Sequence, residues 1–135
     1  MKLSKEQIIA EVKNSPNPKV KVAITDLDGV LRGKYIHKDK FLSAIEGGFG
    51  FCNVIFGWDI NDLAYDDCKF TGWHSGYPDA TARLDLQTFR NVPWDNDVPF
   101  FLGDFDLDIC PRNLLKKVKD ESNRMGFKPF FGQEF

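Results

Sequence analysis

Two carboxylates one residue apart, Asp26 and Asp28, close an apolar run in Ile24-Thr25-Asp26-Leu27-Asp28-Gly29-Val30-Leu31. At the end of a strand, the first could attack phosphorus as a nucleophile and the second could protonate the leaving oxygen. Further along, Gly103-Asp104-Phe105-Asp106-Leu107-Asp108 gathers three carboxylates, whose hard oxygens would suit Mg²⁺. The same residues have a structural reading. Asp28-Gly29 between two β-prone runs supplies the positive φ angles of a tight hairpin turn. The nucleophile reading goes with a helix after the motif, within a βαβ alternation. Val30 to Ile36 carries Tyr35 and Ile36 with Gly33 inside it, so a returning strand is the preferred expectation.

The elements that must position these groups follow from spacing. Ser4 and Gln7 have capping-box spacing and open a helix, with Ile8, Ile9 and Val12 as its apolar stripe. Asn14-Ser15-Pro16-Asn17-Pro18 ends it. A strand is expected from Lys19 to Leu27, with Val20, Val22 and Ile24 on one face. A short helix follows over Asp39 to Glu46, with Phe41, Leu42 and Ile45 inward and Gly47 at its end. Phe49 to Phe56 reads as a third strand, and Ala82 to Leu86 and Pro99 to Phe105 as two more. Residues 57–79 are rich in Gly, Asp and aromatics without a period, which marks a functional or mobile loop. Pro111 starts a helix that turns Leu114, Leu115, Val118 and Met125 inward and stops at Gly126. Phe127 to Phe135 begins another strand that breaks off without a turn, the mark of a truncated chain. The sum is an α+β fold, a mainly antiparallel sheet with helices packed on one face.

Composition narrows the function classes. A chain of 135 residues suits one domain. Its net charge of -2 offers no basic face for nucleic acid, and Lys116, Lys117 and Lys119 are balanced by Asp120 and Glu121. Three Cys without a CxxC pair favour reduced thiols, and the charged amino terminus is no signal peptide. No run approaches the ~20 apolar residues of a membrane span. A soluble, cytoplasmic protein is expected. His37 and His74 lack companions at metal-ligand spacing.

The Asp26-Leu27-Asp28-Gly29 motif resembles the first motif of the haloacid-dehalogenase-like phosphatases, with Asp26 as nucleophile and Asp28 as general acid, and Asp104 and Asp108 resemble that family's Gly-Asp-x-x-x-Asp Mg²⁺-binding acids. A second resemblance covers far more of the chain. Asp26, Gly29 and Arg32-Gly33-Lys34 are followed by Lys40-Phe41-Leu42, Gly47-Gly48 and Phe56-Gly57-Trp58-Asp59. Then come Gly76-Tyr77-Pro78-Asp79-Ala80, Ala82-Arg83-Leu84-Asp85, Thr88, Arg90, Pro93-Trp94 and Cys110-Pro111-Arg112. Gly126-Phe127-Lys128-Pro129 leads into Gly132-Gln133-Glu134-Phe135. From Val20 onward this order resembles the amino-terminal domain of the glutamine synthetase family, on the branch of the γ-glutamyl-polyamine and related ligases.

That resemblance implies a β-grasp-like domain over residues 19–109. Residues 1–18 form a helix and linker before it. Residues 110–135 are a helix and first strand leading into an absent catalytic domain. It also implies a parent enzyme that uses ATP and Mg²⁺ or Mn²⁺ to join ammonia or an amine to glutamate or a related acid. The expected partners are its own catalytic domain and neighbouring subunits in a ring-shaped homo-oligomer. The chain alone is expected to bind no cofactor and to be inactive. Asp59 corresponds to the acid that reaches the neighbouring subunit's amine site. Ile60-Asn61-Asp62-Leu63 after it departs from the Gly-Ser-Ser of glutamine synthetases proper, which favours a larger amine. Asp62 would add charge for a cationic amine. Glu134 corresponds to the first acid of a Glu-x-Glu metal-binding strand, in the full-length parent only, since one carboxylate cannot supply about six ligands.

Alternative readings remain at this stage. Asp59 could simply cap a loop turn. Trp58, Trp73, His74 and Tyr77 could line an amine pocket, meet a partner, or anchor the loop. Arg32 and Lys34 are expected on the hairpin's exposed face, and Arg83 and Asp85 as an ion pair or interface. A stand-alone β-grasp binding module is the third functional alternative. Mapping of amide hydrogen bonds by NMR separates the main two, because a helix after Gly29 would exclude the hairpin.

Overall fold

The computed structural model describes residues 3–132 and Glu134. Helix α1 (Lys5–Asn14) starts where the capping box places it: Ser4 Oγ accepts from Gln7 N at 3.3 Å and Gln7 Oε1 accepts from Ser4 N at 2.8 Å. Strands β1 (Lys19–Thr25) and β2 (Leu31–His37) form an antiparallel hairpin with Val20 opposite Ile36 and Ile24 opposite Arg32. The connection is a five-residue loop, 26–30, and only Gly29 in it has positive φ, at 81°. Helix α2 (Lys38–Gly47) follows, ending one residue later than expected, with Gly48 as its cap at φ 74°.

Strand β3 (Phe49–Cys52) is shorter than the apolar run suggests, because Asn53–Phe56 winds into a 3₁₀ turn. Strand β4 (Asp79–Val92) is much longer than expected and slips register between Asp85 and Arg90. That slip breaks the two-residue alternation that would have marked the second half as strand. Thr88 Oγ1 holds the irregular stretch, accepting from Leu102 N at 2.8 Å and donating to Asp85 O at 2.6 Å. After a second 3₁₀ turn (Pro93–Asp95), strand β5 (Val98–Phe105) enters the centre of the sheet. The order is β2-β1-β5-β4-β3, and β1 pairs with β5 in parallel while the other pairings are antiparallel.

Alternation puts Val20, Val22, Ile24, Phe101 and Phe105 on one face, where Ile8 and Val12 of α1 and Phe41 and Ala44 of α2 cover them. Phe41 and Phe101 lie 4.6 Å apart between ring centroids, and Phe89 stacks on Phe101 at 5.3 Å. The opposite face is only partly covered: Ala23, Val92, Val98 and Phe100 are buried there, and a groove of about 450 Å³ lies between Leu31, Tyr35, Trp94 and Phe100 above Gly33 and Ala23.

Two expectations fail at the carboxyl end. Helix α3 (Pro111–Arg124) does not turn its apolar stripe inward: Leu114, Leu115, Val118 and Met125 are all more than half exposed. Polar contacts dock it instead. The Arg112 guanidinium bridges Asp104 at 2.8 Å and Asp85 at 3.0 Å, and Lys116 pairs with Asp104. Residues 127–132 and 134 form no strand, since no neighbouring strand accepts their backbone, and Phe130 and Phe131 are exposed. Gln133 and Phe135 lie outside the described residues. Among the described residues no helix is long and apolar enough to cross a membrane.

These differences in burial set different costs. Phe101→Ala should lower the urea-unfolding free energy by about 3–5 kcal/mol, whereas Leu115→Ser should stay within about 0.5 kcal/mol. A large loss for Leu115→Ser would mean that the α3 stripe is buried in solution.

Candidate functional site

Residues 57–79 have little regular structure of their own, so fixed groups outside the loop must hold it. The 3₁₀ turn before it supplies Asn53, whose Oδ1 accepts from Thr71 Oγ1 at 2.6 Å, and both side chains are buried. Phe56 packs edge-on against Phe70 at 5.9 Å. Cys52 Sγ donates to Tyr77 O at 3.2 Å, and Cys68 Sγ to Phe56 O at 3.5 Å. The three Cys are free thiols. The Asn53–Thr71 bond is not legible in the sequence, because nothing in its spacing marks a polar pair that closes across a loop.

The carboxylate that the phosphatase alternative would make a nucleophile is the structural centre of the expected hairpin. Asp26 is 1% exposed. Its Oδ1 accepts from Asp28 N at 3.0 Å and Val30 N at 2.9 Å, and its Oδ2 accepts from Arg32 Nε at 2.7 Å. With its oxygens occupied and β2 returning where a helix was required, the phosphatase reading is overturned. Asp104 is likewise committed to Arg112 and Lys116, and Asp108 is exposed beside Lys117 at 3.3 Å.

Arg32 departs from the expected exposed position. Its register opposite Ile24 points it toward the covered face, leaving its side chain 14% exposed. From there its Nη2 donates to Asp59 O at 2.9 Å, its Nη1 pairs with the Asp62 carboxylate, and its plane lies 5.0 Å from the Trp58 ring centroid. Hydrogen bonding to Asp26, opposed by burial and assisted by Asp62, raises its pKa. Lys34, on the same face, donates to Gly50 O at 2.8 Å and lies over Phe51.

The structure therefore brings together Trp58, Asp59 and Asp62, and adds Arg32 and Asp26 to them. Asp59 is half-buried and does cap a turn: its Oδ1 accepts from Asn61 N at 2.8 Å and Leu63 N at 3.0 Å. The Leu63 N–H, against a desolvation cost, holds the Asp59 pKa below the ordinary carboxylate range, with smaller help from Asn61 and Arg32. Asp62 sits at φ 64°, a conformation Asp tolerates better than most residues. Beside it, a hollow of about 360 Å³ is lined by Arg32 and Asp62 together with Phe51, Val54, Ile55 and Trp58.

Other candidates fall elsewhere. Trp73 packs edge-on against Tyr77 at 5.5 Å, and no hydrogen bond joins that pair or His74 to Asp59 among the described residues. His37 caps α2, accepting from Asp39 N. Arg83 and Asp85 do not pair with each other: Arg83 meets Asp106, and Asp85 meets Arg112. Burial works to raise the Asp85 pKa, but Arg112 and Lys116 outweigh it and leave it lowered. Glu134 is exposed. Among the described residues no three His, Cys, Asp or Glu lie close enough to hold a metal ion.

No protein-family model matches the chain. Type-1 glutamine synthetase 2 of Dictyostelium discoideum is 53% identical over 138 residues, covering 98% of this chain and 26% of the relative. A glutamate–isopropylamine ligase of a Pseudomonas species is 37% identical, covering 86% of this chain and 27% of the relative. The chain thus spans about a quarter of the length of the curated relatives it matches. Among solved structures, Plasmodium falciparum glutamine synthetase superposes with a TM-score of 0.65 at 20% identity, covering 93% of this chain and 24% of that one. GmaS in complex with ADP does so with a TM-score of 0.63 at 20% identity, covering 87% and 26%. Similarity over nearly the whole of this chain, with the matching fold, makes it a member of the glutamine synthetase family, matched to that family's amino-terminal quarter.

Proposed function

We propose that this chain is the amino-terminal part of an ATP-dependent ligase that joins ammonia or a small amine to the side-chain carboxylate of glutamate or a related acid. The observation that carries the reading is the 53% identity to a glutamine synthetase across 98% of the chain. The 37% identity to a glutamate–isopropylamine ligase favours an alkyl amine over ammonium. ATP and Mg²⁺ or Mn²⁺ belong to the longer protein on this reading, as does a ring-shaped homo-oligomer. Residues 19–109 are its β-grasp-like domain, and residues 110–135 lead toward the catalytic region.

The part assigned to this chain is electrostatic. Its loop from Trp58 to Asp62 would close the amine end of a neighbouring subunit's active site. Asp59, held ionised by the Leu63 N–H, offers negative charge to an incoming ammonium group. Asp62 adds a second carboxylate, and Trp58 an aromatic wall. A cation drawn there waits in position until it loses its proton and attacks as the free amine.

In the longer protein that carries this sequence, Asp59→Asn should raise the KM for the amine about tenfold or more, as fits a charge-assisted hydrogen bond of about 1.5–3 kcal/mol. The KM for ATP should not move. An unchanged amine KM would sink the assignment of Asp59. The 135-residue chain alone should form no ATP-dependent product, and any product from it would overturn the division between this part and the catalytic part.

The charge on Asp59 also has a pH signature. Its folded pKa is lowered, so the turn it caps is fully stabilised above the unfolded value of about 3.9 and loses that support as pH falls through the folded value. An NMR titration of the Asp59 side-chain carbonyl should give a midpoint below that ordinary value. A midpoint at or above it would mean that the Leu63 and Asn61 bonds are not held in solution.

A further inference from the structure

Arg32 joins two parts of the molecule that the chain keeps apart. One nitrogen is fixed on the buried Asp26 carboxylate, 2.7 Å away, inside the hairpin loop. A second donates to the Asp59 carbonyl at 2.9 Å, and a third pairs with Asp62. The Trp58 ring lies against its face. No other side-chain hydrogen bond links β2 to residues 57–79 among the described residues. The Asp59 carbonyl it grips also accepts from Asp62 N at 3.1 Å, so the guanidinium holds the turn whose first residue bears the candidate carboxylate. A guanidinium can make these three contacts at once because its donors are spread over a rigid plane; an ammonium is a single point charge.

We propose that Arg32 is the positioning residue of the amine site: anchored on Asp26, it sets the orientation of Asp59 through the 59–62 turn. This rests on the function proposed above. Arg32 itself need not touch the amine. Its role is to keep the Asp59 carboxylate at one place and angle, by tying a loop with little regular structure to the edge of a five-stranded sheet.

Arg32→Lys separates this role from general folding, since it keeps a cation for Asp26 but cannot span to Asp59 and Asp62. In the 135-residue chain, the Asn61 and Leu63 amides should exchange with solvent at least tenfold faster in Arg32→Lys, while the protected amides of β1 and β5 stay within about twofold. Asp62→Asn, which tolerates the same left-handed backbone, should accelerate the same two amides by a smaller factor. Unchanged exchange at Asn61 and Leu63 in both variants would overturn the inference. In the longer protein, Arg32→Lys should raise the amine KM about tenfold at unchanged ATP KM, and should add nothing in an Asp59→Asn background. Full additivity with Asp59→Asn would also overturn it, because Arg32 would then act by another route. If Asp59→Asn alone leaves the amine KM unchanged, the proposed function fails, and loop exchange still decides whether Arg32 holds the turn.

Discussion

A carboxylate sealed from water has to be answered by donors on every side, and Asp26 imposes that demand on this fold. Two of its partners are backbone N–H groups of its own loop, which shape the turn between β1 and β2. The third is Arg32, which the demand holds on the covered face of an edge strand. Breaking one half of such a pair costs about 3–5 kcal/mol, because the other charge is left buried alone. The geometry of the 57–63 loop follows from this constraint: with Arg32 fixed at one end, its free donors find the Asp59 carbonyl and the Asp62 carboxylate. Asp26, one half of a phosphatase-like spacing, thus becomes the support of a loop some thirty positions further on.

The rest of the molecule divides into an apolar half and a polar half. On the covered face, a cluster of Phe side chains fills the space between the sheet and helices α1 and α2. On the other face, helix α3 is attached through ions: Arg112 and Lys116 meet Asp85 and Asp104, which project from adjacent strands. Such a helix keeps its apolar stripe available. The open groove beside Tyr35 and Trp94 continues this contrast between a finished face and an unfinished one.

Much of this was legible in the residues. Ser4 with Gln7 placed the start of α1, and the apolar alternation of Val20, Val22 and Ile24 gave the inward face of β1. The hairpin was legible because Gly29 adopts the positive φ that its type suggests. What failed did so for physical reasons. Arg32 alternates with Leu31, and the charged residue would ordinarily face water; the buried charge of Asp26 inverts that choice at Arg32, leaving Leu31 and Tyr35 about half exposed, while Lys34 is exposed as expected. The second half of β4 was hidden by its register slip. The stripe on α3 has the right period for burial but meets no covering surface among the described residues, and periodicity cannot report whether a partner surface exists. In the site, the grouping of Trp58, Asp59 and Asp62 came from local spacing and family resemblance, while the contribution of Arg32 depends on a contact across 27 residues that no local pattern encodes.

The single parallel pairing in the sheet has a consequence for how the chain reaches its fold. Strand β1 cannot complete its inner ladder from neighbouring residues, because Lys21, Val22 and Ala23 take Phe100, Phe101 and Leu102 as partners from the far end of the domain. Closing a loop that long precedes any gain from the central contacts, which makes folding slow relative to chains rich in local pairings. During synthesis at about 5–20 residues per second, the β1–β2 hairpin would emerge several seconds before β5 and wait with one edge unpaired. The last strand to arrive is therefore the one that converts a local hairpin into a domain, and the interval before it does so is when this chain is most exposed to pairing with another copy of itself.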